Sequence, residues 1–180
     1  MNRDKLWDYA RLSRMWARIL IGVGVLVLLS GLGLEFSDPH GSPGHWTIVA
    51  VATAVPTTVL FTFLLRSWMR DGALPSARLG DATPVRGTNV PEASRRDWRT
   101  WSVLMAVFFA FAGMALSAFL AGTLGGGGEA EGVVVGVFTA WGIVTLRDVR
   151  KVDEAEKAGS RTFYAECRRP VAVGQRLVWR

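Results

Sequence analysis

Residues 101–121 read WSVLMAVFFAFAGMALSAFLA, a run of apolar and small residues without a single charge. A helix rises ~1.5 Å per residue, so this run is long enough to cross the ~30 Å hydrocarbon core of a bilayer. Similar apolar runs cover about Met15–Leu34 and Trp46–Leu65, and a shorter run covers Val133–Leu146. The sequence therefore predicts four transmembrane helices.

The fourth run is the shortest, since Val133–Leu146 would form a helix of only ~21 Å. Arg147 follows it directly and favours the cytoplasm, whereas Glu129 and Glu131 precede it and are tolerated outside. An earlier helix start with local thinning of the bilayer gives a full crossing over residues 130–146. We therefore expect a fourth span.

All 21 Lys and Arg residues can be placed on one side of these spans. They lie in the N-terminal segment, in the central loop 66–100 and in the tail 147–180, whereas the other two connections carry none. Basic residues favour the cytoplasmic side of a membrane, so both termini are predicted to be cytoplasmic. The predicted fold is an all-α integral membrane protein whose four transmembrane helices form two antiparallel hairpins.

The segregation of charge is more informative than its amount, because the charged fraction of 20% is close to the ~25% of soluble chains. A net charge of +6 raises the question of nucleic-acid binding. Most basic residues, however, lie within a few turns of a predicted span, where they contact anionic lipid head groups. No nucleic-acid partner is expected. The preference for Arg over Lys and for Ala, Gly and Val fits a bacterial chain, so we expect the bacterial plasma (inner) membrane.

Residues 1–18 predict an amphipathic helix, because one helical face would carry Leu6, Tyr9, Leu12 and Trp16. Such a helix can lie in the head-group region, or it can simply lead into the first span, which we favour. The basic start resembles a signal peptide. The apolar run is long and lacks a clear small-x-small processing site, so a retained signal anchor is expected.

The two basic segments near the other spans give weaker patterns. The central loop 66–100 is rich in Pro and Gly and predicts a loose surface segment with one short helix from about Pro91. The tail begins as a helical continuation of the fourth span that stops at Gly159. Beyond it, Ser160–Arg180 contains two β-like runs, for which disorder, a small hairpin and partner binding all stay open. Cys167 is the only cysteine, so no intramolecular disulfide is possible.

The second span carries Pro56 near its middle, flanked by Thr53, Thr57 and Thr58. Proline tends to kink a helix, and neighbouring threonine hydroxyls can bond the carbonyls that it leaves unpaired. This pattern is a candidate for a pore or hinge element, and it is also a common packing feature of inert membrane helices.

Small residues recur every four positions in three spans, as Ala50/Ala54/Thr58, Gly113/Ser117/Ala121 and Gly132/Gly136/Ala140. This spacing forms a flat stripe on one helix face and permits close approach of a neighbour. Packing within the bundle is expected ahead of homo-oligomerisation. Tryptophans at the predicted membrane edges are expected to act as interfacial anchors, namely Trp16, Trp46, Trp68, Trp98 and Trp101.

Chemistry-bearing residues are scarce. Between Ile19 and Leu146 no ionisable residue falls inside one of the four apolar runs, although coupled transporters and intramembrane hydrolases usually need one in the bilayer. The chain also lacks HExxH, Gly-x-Ser-x-Gly and Walker motifs. The first outer turn holds residues of metal-binding type, Glu35, Asp38, His40 and His45, but their spacing matches no standard site. We therefore expect no enzyme and no catalytic, cofactor or metal residues.

The leading hypothesis is a small, non-enzymatic accessory, scaffold or regulatory subunit of the membrane. It would present its basic loop and tail, Arg147–Arg180, to a protein partner or to a second copy of itself. The alternative is an oligomeric channel, exporter or pore-forming membrane effector, which the Thr-rich second span and the small-residue stripes favour.

Overall fold

The computed structural model describes residues 5–37, 45–68, 75–85, 91–124, 127–167 and 176–180. Its four long helices are α1 (Tyr9–Ser37), α2 (His45–Trp68), α3 (Arg95–Leu124) and α4 (Gly127–Gly159). Each contains a stretch that is long and apolar enough to cross a membrane. The four predicted spans are confirmed as helices, and this is the architecture of a multi-pass membrane protein.

Glycines place α4 in the middle of the bundle. Gly132 lies against α2, where an added Cβ would stand 2.5 Å from the carbonyl oxygen of Ala50. Gly142 lies against α1, where an added Cβ would stand 2.9 Å from the carbonyl oxygen of Ala17. Because these positions lack side chains, α4 approaches the backbones of both neighbours, as small residues permit in membrane helices.

The arrangement of two sequential hairpins is not confirmed, because α1 and α2 share few contacts and α4 lies between them. The order of contacts gives the directions. Trp16 meets Phe109 and Val23 lies beside Gly113, so α1 and α3 run parallel. Gly128, Gly132 and Gly136 of α4 meet successive residues of α2 from Trp46 to Thr57, so these two helices are also parallel.

Four short strands form one sheet at the end of the bundle where α1 and α3 begin. They are β1 (Lys5–Asp8), β2 (Thr83–Pro84), β3 (Phe163–Cys167) and β4 (Arg176–Trp179), in the order β1-β3-β4-β2. The pairs β1–β3 and β3–β4 are antiparallel, and β4–β2 is parallel. We call this end, where α2 and α4 finish, the basic end, and the sheet the basic-end sheet.

The predicted amphipathic helix over residues 1–18 is not confirmed. Residues 5–8 form β1 instead, and α1 begins at Tyr9 and continues without a break into the first span. Leu6 and Trp7 are each 1% exposed, because protein rather than a membrane surface covers them. Hydrogen bonds to β3 pair the backbone groups of residues 5–8. Four residues are too few for a sequence pattern to predict this strand.

The described parts of the central loop, residues 75–85 and 91–100, are more ordered than predicted. A 3-10 helix, Pro75–Asp81, packs on α4, and β2 joins the basic-end sheet. α3 begins at Arg95 rather than near Pro91, because Ser94 caps it. The Ser94 hydroxyl accepts from the Asp97 amide (3.2 Å), and the Asp97 carboxylate accepts from the Ser94 amide (2.9 Å), a reciprocal capping box.

The tail, for which the sequence leaves disorder, a small hairpin and partner binding open, contains two described strands. α4 ends at Gly159, as predicted. Beyond it, β3 and β4 form an antiparallel pair in which Phe163 faces Trp179 in register. The described strands therefore agree with the hairpin alternative and form the centre of a larger sheet, whereas partner binding stays a prediction.

Two groups of buried apolar side chains hold the fold together. One lies among the helices and includes Val27 and Val134. The other lies at the basic end and includes Trp7, Trp98 and Val152. The outer faces of α2 and α3 expose large apolar side chains, with Phe111 and Phe119 each 67% exposed. Such apolar surface suits lipid contact.

Candidate functional site

The basic-end sheet joins segments that are far apart in the chain. The amide of Leu6 donates to the carbonyl of Pro91 (3.0 Å), and the amide of Ala93 donates to the carbonyl of Leu6 (2.9 Å). The other edge of β1 pairs with β3. The start of the chain, the end of the central loop and the tail thus form one folded unit.

Lys5 and Asp97 join β1 to the start of α3. The Lys5 ammonium donates to both Asp97 carboxylate oxygens at 2.7 Å. Asp97 precedes the apolar part of α3, which begins at Trp101. The hydrogen bond from Lys5, followed by that from Ser94, lowers the pKa of Asp97 from 3.8 to about 2. The carboxylate therefore stays charged and holds both elements.

Polar side chains attach the loop and the tail to α4. Asp148 is 3% exposed and accepts from the amide and the hydroxyl of Ser76, both at 2.6 Å. Asp153 accepts from Arg14 of α1 (3.0 Å). Glu156 accepts from the amide of Phe163 (2.9 Å), which fixes the start of β3.

The last turns of α4, Arg147–Gly159, extend beyond its apolar run and expose basic side chains beside one exposed carboxylate, Glu154. Arg147, Arg150 and Lys157 are exposed, and within the described part of the chain none of them has a carboxylate partner. Lys157 stands ~16 Å along the helix beyond Leu146. We call Arg147, Arg150 and Lys157 the α4 basic face.

A groove of about 820 Å³ opens between α1 and α3 at the basic end. Its volume lies within the ~300–1,000 Å³ range of small-molecule sites. Its mouth carries five arginines, Arg11, Arg14, Arg18, Arg95 and Arg99. Its deeper part is apolar and includes Ile19, Gly22, Val23, Leu26, Ala106 and Ala110. We call this feature the α1–α3 groove.

Sequence reasoning assigned these arginines to topology and missed the groove. The available signal was their spacing, since Arg11, Arg14 and Arg18 follow one face of α1, and Arg95 and Arg99 follow one face of α3. That these faces adjoin depends on the parallel packing of α1 and α3. No sequence pattern gives that packing.

Glu131 is an ionisable residue that lies within the helix bundle, just before the apolar run of α4. It was expected outside the membrane, but it occupies the second turn of α4 and is only 7% exposed. The Trp46 indole N–H donates to its carboxylate (3.3 Å), and its side chain packs against Gly31. The missing side chain at Gly31 makes the room for it.

The threonines of α2 serve helix packing. Thr53 and Thr57 lie against Gly132 and Gly136 of α4, and the Thr58 hydroxyl donates to the Ala54 carbonyl (2.7 Å). The small residues of these two helices therefore pack within the bundle, as expected.

Trp98 departs from its predicted role as a membrane anchor. It is 8% exposed and lies edge-on to Trp7 at 4.8 Å between ring centroids. Trp98 is therefore covered by protein, including Trp7 of β1. Trp46, in contrast, is exposed at the start of α2, at the end of the bundle opposite the basic end.

No group of metal-binding side chains occurs among the residues that the structure describes. Asp38 and His40, two members of the weak candidate set, lie outside the described residues. Comparison with protein families, curated proteins and solved structures finds no match to this chain. A function must therefore be inferred from its own residues.

Proposed function

We propose that this protein is a non-enzymatic accessory or scaffold protein of the bacterial plasma membrane, with both termini in the cytoplasm. Its basic-end sheet, together with the end of α4, forms the surface that docks on a partner protein. The observation that carries this proposal is the joining of every described basic segment into one folded unit. The concentration of Lys and Arg at this end supports a cytoplasmic orientation.

The α4 basic face supports an acidic partner surface. Arg150 and Lys157 are exposed and have no carboxylate partner in the described part of the chain, so their charge is available. Lys157 lies too far beyond the apolar run to serve only as a membrane-end residue. Complementary charges of this kind speed association and select partners.

Photo-crosslinking in cells tests the proposal. A photoreactive amino acid at Lys157 or Ala158, both exposed, should give one discrete adduct with a protein other than this chain. The same probe at the lipid-facing positions Phe111 and Phe119 should not give it. Replacing Arg147 and Arg150 by Gln should reduce the adduct about tenfold, because complementary charge favours the encounter.

Two results would contradict the proposal: no protein adduct at the end of α4, or the same adduct from the lipid-facing controls. Point variants are preferable to deletion of Ser160–Arg180. That deletion would remove β3 and β4, the two central strands, and would disrupt the sheet itself. Loss of a partner would then say nothing about the surface.

The channel, exporter or pore-forming alternative stays a prediction. This alternative rested mainly on the threonines of α2. Thr53 and Thr57, however, lie against the glycines of α4. A water path along these residues would require α2 to separate from α4. For this reason the accessory function has the better support.

A further inference from the structure

We propose that the α1–α3 groove seats one anionic phospholipid from the leaflet at the basic end. Its head group lies at the arginine-lined mouth of the groove, and one acyl chain follows the apolar wall toward Gly113. This is a specific lipid site, distinct from the general contact of basic residues with a membrane surface.

The charge at the mouth of the groove supports an anion. Arg14 is held by Asp153 at 3.0 Å, and the guanidinium of Arg11 lies 4.7 Å from the ring centroid of Trp98. The other three arginines, Arg18, Arg95 and Arg99, are exposed and have no carboxylate partner among the described residues. Their planar forks suit the oxygens of a phosphate.

Small residues give the groove its depth. Gly22 lines it, and an added Cβ there would meet no atom within 4 Å. Ala106 and Ala110 line the facing wall on α3. The groove ends where the helices meet, since a Cβ at Gly113 would lie 2.9 Å from Val23. The groove is therefore open beside Gly22 and ends beside Gly113, where α1 and α3 are in contact.

The length of the groove matches one leaflet. From Arg18 to Leu26, α1 rises ~12 Å, and from Arg99 to Ala110, α3 rises ~16 Å. Half of a ~30 Å hydrocarbon core is ~15 Å. A cationic mouth above an apolar wall of this length fits a molecule with an anionic head and an acyl chain. Free phosphate would use only the mouth, and a zwitterionic lipid would leave the positive charge unbalanced.

Native mass spectrometry of the full chain in a non-ionic detergent tests the site. Phosphatidylglycerol and phosphatidylcholine with identical acyl chains are titrated separately. We expect one saturable phosphatidylglycerol per chain, bound at least about tenfold more tightly than phosphatidylcholine, because each nearby Lys or Arg favours an anionic lipid. Excess inorganic phosphate should not displace it, which separates a lipid from a free anion.

Charge variants locate the head group. The triple variant Arg18→Gln, Arg95→Gln, Arg99→Gln should weaken phosphatidylglycerol binding by roughly 10- to 100-fold, since three basic contacts are lost. The control Arg66→Gln, Arg147→Gln, Arg150→Gln removes the same charge at the ends of α2 and α4. The control should bind within about twofold of the unmodified protein if the site is local.

A substitution that fills the apolar part of the α1–α3 groove locates the acyl chain without changing the charge of the protein. Gly22→Leu puts a side chain into the open groove and should weaken binding about tenfold or more, because the bulky group occupies the space of the chain. Gly122→Leu is the matched control, since an added Cβ there also meets no atom within 4 Å. The control should bind normally, and thermal unfolding should show both variants folded.

Four outcomes would overturn the proposal: equal binding of the two lipids, displacement by phosphate, equal losses in the two charge triples, or normal binding by Gly22→Leu. A dimer that forms through the α1–α3 groove and excludes lipid would also overturn it. The photo-adduct at the end of α4 is an independent measurement, so failure of the lipid site leaves the accessory function testable.

Discussion

Gly132 shows how a single hydrogen in place of a side chain determines helix packing. A Cβ at this position would lie 2.5 Å from the Ala50 carbonyl oxygen and 2.7 Å from the Thr53 Cβ. The first of these neighbours is backbone and cannot move without moving α2. Gly132→Ala should therefore destabilise the bundle by about 1–3 kcal/mol, as overpacking of a well-packed core does. Reversible unfolding in mixed detergent micelles measures the change.

Gly122→Ala is the control for this prediction. Gly122 also lies in a transmembrane helix, but a Cβ there meets no atom within 4 Å. Its substitution should leave stability within about 1 kcal/mol, or raise it, because alanine favours the helix more than glycine does. Equal destabilisation by the two substitutions would mean that α4 does not approach α2 closely.

At the scale of elements, the junction of β1 with α3 depends on Asp97. Its carboxylate caps α3 through Ser94 and accepts from Lys5 of β1. Both interactions favour the charged form, so the pKa of Asp97 falls to about 2. A carboxylate with a lowered pKa adds stability that is complete above about pH 4 and is lost as the pH falls toward 2.

Asp97→Asn should remove this pH dependence and loosen β1 at neutral pH. Tryptophan fluorescence reports the change, because Trp7 and Trp98 are in contact beside the junction. The unmodified protein should show a transition between about pH 4 and 2, which salt weakens because Lys5 is partly exposed. Asp81→Asn, at an exposed residue of the 3-10 helix, should retain it. An unchanged transition in Asp97→Asn would assign it to other carboxyls.

At the scale of the whole molecule, the described residues form two cores that share α1 and α4. The core within the bundle includes Val27 and Val134, and the core at the basic end includes Trp7 and Val152. Four strands from three distant segments, the start of the chain, the central loop and the tail, close the second core. The sheet should therefore form or unfold as a unit while the membrane helices persist, since cooperative units follow such packing.

Deletion of residues 176–180 tests this cooperativity. It removes β4, which pairs with both β3 and β2, so β1, the 3-10 helix and β3 should all lose protection in hydrogen exchange. Helix content by circular dichroism should fall little, because the four spans do not depend on the sheet. Arg180→Gln, which removes only the ion pair with Glu92, is the control. Unchanged protection of β1, the 3-10 helix and β3 after this deletion would argue against one cooperative unit.

The sequence by itself determined the class of this protein. Apolar runs such as 101–121 predict membrane helices because a bilayer requires about 20 apolar residues with internal hydrogen bonds. Gly159 ends α4 as its local pattern predicts, and the stripes at Ala50 and Gly132 pack within the bundle as expected. Each of these features depends on length, period or local backbone preference, which neighbouring residues carry.

Only the tertiary structure decided how these parts meet. β1 and β2 are too short for an alternating pattern, and β1 pairs with β3 more than 150 residues away. The burial of Glu131 depends on the space at Gly31, and the α1–α3 groove depends on two parallel helices whose arginines become neighbours. Such contacts form between residues distant in sequence, where packing and complementary charge act through space and leave no local period.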